Sequence, residues 1–240
     1  LNRYGGAYLP GATTLGPIGS PGLKWETTAS TDLGLDFGFL DDRITGSIAY
    51  YNKKVSNLIL RGNVPISAGF TTNAVWENIG SLRNWGWEFD VTSLNIKKGG
   101  FTWNTDFNIS FNDNRILSLN EFEKGKGAEG AQTIRKEGEK LDAWYLAQYT
   151  QIDPEKGIAL IEQRDAKAWN TRFVTVGTGV EIPMNRSNVD ANKFVHSGKT
   201  ALPTFYGGLN NRFTYKNFDV SVLLAFSGGN WKLNTNTERG

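Results

Sequence analysis

The sequence has no cysteine, one histidine (His196) and one methionine (Met184) in 240 residues. Without cysteine there are no disulfide staples and no thiolate chemistry. A single histidine leaves no material for a multi-histidine metal site or a histidine-based proton relay. A formal net charge of +2 is too small to support a nucleic-acid partner or an acidic surface. There is no run of ~18 apolar residues, so no helix can span a bilayer. Mean hydropathy is −0.40, the same as for many soluble proteins. Long Ala, Leu, Glu and Lys runs are also missing, which removes the usual helix formers. The sequence opens at Leu1 with no charged-then-apolar leader, and it closes on the polar run Thr235 to Gly240. Both ends read as cut.

What is present favours strands and turns. Aromatics make up 12% of the chain, with eight Trp, and there are 28 Gly. The dominant signal has period two. Leu33, Leu35, Phe37 and Phe39 alternate with Asp32, Gly34, Asp36 and Gly38, which puts one face apolar and one polar. Asp41-Asp42 forms a turn into Ile44, Gly46, Ile48 and Tyr50, and Phe39 opposite Ile44 makes the two apolar faces coincide. Trp85, Trp87, Phe89 and Val91 repeat the pattern against Gly86, Glu88, Asp90 and Thr92. A phase slip at Leu94 and Ile96 reads as a bulge or a strand end. After Lys97 to Gly100, Phe101, Trp103, Phe107, Ile109 and Phe111 alternate with polar residues. Late in the chain, Leu209, Phe213 and Tyr215 pass through Lys216-Asn217 into Phe218, Val220, Val222, Leu224 and Phe226.

Between these hairpins lie longer stretches: Arg61 to Asn73, Asn120 to Lys140 and Arg164 to Ala201. The stretch from Glu121 to Lys140 reads as a solvated loop. Short turns alternating with long loops is the construction of outer-membrane barrels. Phe101 to Phe111 keeps phase for about the ~9–11 residues a tilted strand needs to cross hydrocarbon. Phe37, Phe39, Phe101, Trp103, Tyr215 and Phe218 all sit beside short turns, where an interfacial aromatic girdle belongs. Asp32, Asp36, Glu88, Asp90 and Asp106 would then face a wet lumen, and Trp85 and Trp87 would face lipid. A soluble β-sandwich, as a glycan-binding or adhesin module, also alternates in this way and stays open as an alternative.

Particular residues sharpen the reading. Leu23-Lys24-Trp25-Glu26, then Asp32 to Phe37, Arg43-Ile44-Thr45-Gly46 and Tyr50 to Lys54 resemble the SusC/RagA family of TonB-linked outer-membrane proteins. Ser20-Pro21-Gly22 departs from that family's usual Asn-Pro-Asp lead. Asn78, Gly80, Asn84, Gly86 and Glu88 resemble its N-x-G-x-x-x-N-x-G-x-E strand. Leu202-Pro203, Gly207-Gly208, Asn211 and Tyr215 to Asp219 provide a third match. The resemblance implies an all-β, transmembrane antiparallel β-barrel of 22 strands. Residues 1–240 would be part of that barrel, and the plug, the TonB box and the final strands would lie outside this chain. It implies active import of oligosaccharides or peptides, with a SusD-like surface lipoprotein, TonB and the lipid bilayer as partners and no nucleic acid. The location implied is the outer membrane of a member of the Bacteroidota. A siderophore-type TonB-dependent receptor without a SusD partner is the nearer alternative.

No catalytic, cofactor-binding or metal-binding set can be assembled, so an enzyme is not expected. Trp76, Trp144, Tyr145 and Trp169 lie in or near long loops and are candidates to stack on a substrate or to meet a partner. Asp153-Pro154-Glu155-Lys156-Gly157 has turn spacing and lacks the further oxygen ligands of a calcium loop.

Overall fold

A computed structural model describes residues 22–63, 74–78, 80–120, 124–125, 127–165 and 177–233, together with two short paired strands, Arg3–Tyr4 and Ala7–Tyr8. Its main element is a six-stranded antiparallel sheet made of three consecutive hairpins. The first hairpin pairs Thr27–Phe39 with Ile44–Ser56, the second pairs Gly80–Lys98 with Phe101–Leu119, and the third pairs Phe205–Tyr215 with Phe218–Gly228. They stand side by side in chain order, so all three short turns lie at one end and both long connections at the other.

Each turn has the local chemistry it needs. Gly99 and Gly100 have φ of 61° and 78°. Positive φ at both central residues is the requirement of a twist-compatible two-residue hairpin turn, and glycine meets it without steric cost. Lys216 and Asn217 form the second two-residue turn, with Tyr215 paired to Phe218. In the first hairpin Phe39 does pair with Ile44. The connection is longer than the Asp41-Asp42 pair read from sequence, because Leu40 and Arg43 also leave the ladder. Leu40, Asp41 and Asp42 all have positive φ.

The slip in phase is a bulge, and the strand runs on to Lys98. Arg43 braces it. Its guanidinium Nη2 donates to the Leu94 carbonyl at 3.2 Å and the Asn95 carbonyl at 2.9 Å, which satisfies acceptors that the bulge takes out of the ladder.

Period-two alternation carries through the register and makes continuous rows across the sheet. One row on the apolar face runs Leu33, Tyr50, Trp87, Phe111 and Phe205. The next runs Leu35, Ile48, Phe89 and Ile109. Their rings touch in sequence, with centroids 5.0 Å apart for Tyr50–Trp87 and 6.2 Å for Phe111–Phe205. Apolar residues of this face stand open on its outer strands: Leu33 is 65% exposed, Leu35 64%, Val222 47% and Leu224 56%. Among the described residues no second sheet covers this face, so the sandwich arrangement is not what the chain forms. The two outermost strands, Thr27–Phe39 and Phe218–Gly228, have no outer neighbour among the described residues.

Several rows pass through a glycine, and at Gly46, Gly86 and Gly207 an aromatic ring fills the gap. Phe37 pairs with Gly46, and a Cβ on that glycine would come within 2.6 Å of the ring. Tyr51 covers Gly86, and Phe226 covers Gly207, each at 2.7 Å by the same measure. A ring laid over a cross-strand glycine restores the contact the glycine lacks, and only glycine leaves room for the ring.

The long connections are not plain loops. The first contains the paired strands Ile59–Asn63 and Ala74–Asn78. The second contains a four-stranded sheet of Lys193–Thr200, Ala143–Ala147, Thr133–Arg135 and Ala128–Glu129, and a three-stranded sheet of Tyr149–Ile152, Ala159–Arg164 and Gly177–Pro183. A six-residue helix, Arg186–Ala191, is capped by Asn185, whose Oδ1 accepts from the Asn188 amide at 2.9 Å. These sheets hold nearly all the buried apolar side chains: Ile134, Ala143, Tyr145, Ile161 and Phe194. The solvated loop expected from Glu121 to Lys140 therefore contains two strands. They run for only two or three residues each, so they leave no local periodicity to read.

Candidate functional site

The wall presents two chemically opposite faces, and their vertical limits can be read from polar side chains. Near the short turns the apolar face is interrupted by a hydrogen-bonded network. Asn95 Nδ2 donates to Thr105 Oγ1 at 2.6 Å, Thr105 Oγ1 donates to Asn211 Oδ1 at 2.7 Å, and the Trp103 indole donates to the same oxygen at 3.0 Å. At the other end the apolar character fades through the mixed row of Thr31, Asn52, Trp85 and Asp113 and ends at the fully charged row of Lys54, Arg83 and Arg115. From Ser93, in the network's row, to Arg83, a rise of ~3.3 Å per residue and the ~40° tilt usual for barrel strands put these polar limits about 25 Å apart. That height matches the lipid-facing belt of a membrane β-barrel.

The opposite face is hydrophilic over the same height. Asp36, Ser47, Asp90 and Asn108 form one row, and Thr92, Asp106 and Asn210 another. Asp106 is held from both sides: Thr92 Oγ1 donates at 3.1 Å and Asn210 Nδ2 at 3.3 Å. Closer to the turns Arg212 makes a two-pronged contact with Asp219, at 2.9 Å from Nε and 2.7 Å from Nη2. Carboxylates, amides and hydroxyls that would be ruinous against hydrocarbon are well placed against water.

The motif residues prove to be joints. Asn78 Nδ2 donates to the Lys24 carbonyl at 2.8 Å and the Asn57 carbonyl at 2.7 Å, while its Oδ1 accepts from the Lys24 amide at 2.7 Å. Glu26 Oε1 accepts from the Ile59 amide at 2.7 Å. Together they fix the long-loop end of the first hairpin against the strand pair that follows it. Gly86 leaves room for Tyr51, whose hydroxyl also contacts Asn112.

The loop aromatics fall into different places. Trp76 is on the strand Ala74–Asn78 and is 55% exposed. Trp144 is half-buried, and its indole donates to the Trp231 carbonyl at 3.1 Å. Tyr145 is 2% exposed, packed with Ile134 and Ala143. Its hydroxyl accepts from Arg164 Nη1 at 3.0 Å and lies 3.4 Å from Glu129 Oε1, so its ring offers no face for stacking. Burial raises its pKa, and the Glu129 charge adds to that. Trp169 lies outside the described residues. Trp231 stands beside Trp144, half-exposed, with Lys199 Nζ 4.4 Å from its ring centroid. Its sequence neighbourhood gave no sign of this, because it follows a strand and not a loop.

His196 is partly buried, with Nε2 3.3 Å from the Leu146 carbonyl. Burial lowers its pKa, the Lys199 charge lowers it further, and the carbonyl opposes both. Asp153 makes the turn that its spacing foretells, with Oδ1 accepting from the amides of Glu155 at 2.9 Å and Lys156 at 3.2 Å. Among the described residues no group of His, Cys, Asp or Glu is placed to hold a metal.

Comparison with known proteins places this geometry. Over 223 residues the chain is 31% identical to TonB-dependent receptor P3 of Formosa agariphila, covering 88% of this chain and 21% of that protein. Over 221 residues it is 32% identical to TonB-dependent receptor SusC of Bacteroides thetaiotaomicron, covering 87% and 20%. Two solved structures share the fold. The RagAB peptide transporter superposes with a TM-score of 0.73 at 19% identity, over 91% of this chain and 23% of that one. The RagAB peptide importer in its closed-closed state gives 0.75 at 20%, over 93% and 24%. The chain thus spans about a fifth of the length of these curated relatives. Residues 2–238 match the family described as TonB dependent receptor-like, beta-barrel. The chain shares its fold with the RagAB structures, is similar in sequence to SusC, and belongs to that outer-membrane family.

Proposed function

We propose that this chain is part of the wall of an outer-membrane importer driven through TonB, working with a SusD-like surface lipoprotein to take up oligosaccharides or peptides. The observation that carries this reading is the set of exposed apolar rows, held between polar limits about 25 Å apart and backed by a face of carboxylates and amides. One side suits hydrocarbon and the other suits a hydrated solute. On this reading residues 1–240 lie within the barrel, and the plug and TonB box belong to other parts of the receptor. The three short turns face the periplasm, and the extra sheets stand outside the cell, where a lid protein and substrate arrive. Trp76 and Trp144, with Trp231, are the aromatic groups placed to meet them there, and Trp169 belongs to the same long connection. On this reading the chain supplies passage and contact rather than chemistry.

Deletion of the receptor gene tests the reading. Growth on individual oligosaccharides or peptides as sole carbon source is expected to fail in the deletion strain and return on complementation. Unchanged growth on every substrate would overturn import of either class. Affinity capture of the complete receptor should retain a lipoprotein of about stoichiometric amount, and its absence would favour a siderophore-type receptor.

A further inference from the structure

We propose that Lys54, Arg83 and Arg115 form a binding row for the phosphorylated headgroup of an anionic lipid in the leaflet on the long-loop side. The inference rests on the reading that the apolar face meets hydrocarbon.

The three residues are directly opposite one another: Lys54 pairs with Arg83, and Arg83 with Arg115. Neighbouring strands are ~4.8 Å apart, so three cations sit within about 10 Å on one face. Like charges directly opposite on a sheet repel, and such an arrangement calls for a counter-charge. The wall does not provide one. Ala29 continues the row on the next strand, and the row below holds Thr31, Asn52, Trp85 and Asp113. Asp113 is already paired with Lys140 at 2.8 Å. Among the described residues no carboxylate lies within ion-pair distance of Lys54, Arg83 or Arg115.

Position supports the same occupant. The row lies on the apolar face at the upper limit of the band, two rows beyond Tyr50, Trp87 and Phe111. Arg83 bends back toward that band: its guanidinium carbon is 5.1 Å from the centroid of the Trp85 ring, and Nε donates to Asn52 Oδ1 at 2.8 Å. A long cationic side chain lying over an interfacial tryptophan is well placed to hold its charge at headgroup depth. Guanidinium groups present paired donors that match phosphate oxygens, and lysine adds a point charge. Each basic residue adds to the attraction for a charged membrane surface, so three on one face favour an anionic lipid over a neutral one.

The test uses the complete receptor in neutral detergent, titrated with lipid A and with the same glycolipid after removal of its phosphates, with bound lipid counted by native mass spectrometry. The intact protein is expected to retain the phosphorylated form. The K54Q/R83Q/R115Q variant is expected to bind it at least about tenfold more weakly, and the dephosphorylated form should bind weakly to both. The charge-preserving K54R/R83K/R115K variant should keep binding and controls for a fold lost in the first. Equal binding by the first variant and the intact protein overturns the proposal, as does equal retention of the dephosphorylated lipid. Binding of inorganic phosphate alone, with displacement of the glycolipid, would make this a free-anion site and also overturn it. A nitroxide at Val222→Cys separates the two levels. A label accessible to water-soluble relaxants refutes the membrane placement itself. A lipid-buried label with unaltered variant binding refutes only the headgroup row.

Discussion

In the four-stranded sheet beyond the wall, Ile134, Ala143 and Tyr145 are packed away from solvent, and Val195 leans on them. In the six-stranded wall, side chains of the same kind, Leu33, Leu35, Val222 and Leu224, stand open on one face. The residue types do not differ between the two regions. What differs is the medium each expects. The small sheet hides apolar surface from water inside itself, the arrangement of a soluble domain. The wall has no inside of its own; its apolar residues are finished only by lipid, and its polar face by water. Burial measured without a bilayer therefore marks the small sheet as the core of the molecule and the wall as unfinished.

The contrast can be tested by substitution. Ile134→Ala removes a fully packed side chain and should cost about 2–5 kcal/mol. The loss is expected locally, as faster hydrogen exchange over Ala128 to Ala147 with the wall amides unchanged; a concerted loss in both regions would make them one folding unit. Phe107→Arg should cost about 2–4 kcal/mol if that face meets the middle of the bilayer, while Asn108→Arg one position along should be nearly silent. Heat-modifiable migration of the complete receptor reads both, and equal effects would contradict the assignment of faces. Gly207→Ala drives a Cβ against the ring of Phe226 and a cross-strand carbonyl; overpacking of this kind costs about 1–3 kcal/mol. The smallest effect should come from pH. His196 has a pKa below its ordinary value of 6.5. As pH falls through 6.5 the unfolded chain takes up a proton that the folded one resists, so stability is lost on acidification and is fully present above that value. Exchange near Leu146 and His196 should quicken below pH 6.5 in the intact protein and not in His196→Gln.

The wall was legible in the sequence because a long amphipathic strand writes its period directly. The three hairpins, the pairing of Phe39 with Ile44 and of Tyr215 with Phe218, and the phase slip at Leu94 to Ile96 all follow from alternation alone. The length of the first turn did not, since Leu40 looks like a strand residue and reveals its positive φ only in three dimensions. The outer sheets were opaque for another reason. Thr133–Arg135 is three residues long and pairs with segments on both sides, too short for alternation to register. Tyr145 illustrates the limit for single residues: in a long polar connection an aromatic reads as exposed, yet it anchors the interior of a sheet whose strands had no signature. Arg43, Asn78 and Glu26 were visible as parts of a family-like pattern, but their work as braces depends on carbonyls and amides far away in the chain.

The two margins of the wall, Thr27–Phe39 and Phe218–Gly228, which have no outer neighbour among the described residues, set a condition on how this segment can exist. Each margin would bring a ladder of bare peptide dipoles into oil, where every unmet donor or acceptor costs several kcal/mol. A lone copy of the segment therefore has no route into a bilayer as a flat sheet. Its insertion must be concerted with flanking strands that close both seams, so its thermodynamic stability is a property of the whole ring and not of any arc cut from it.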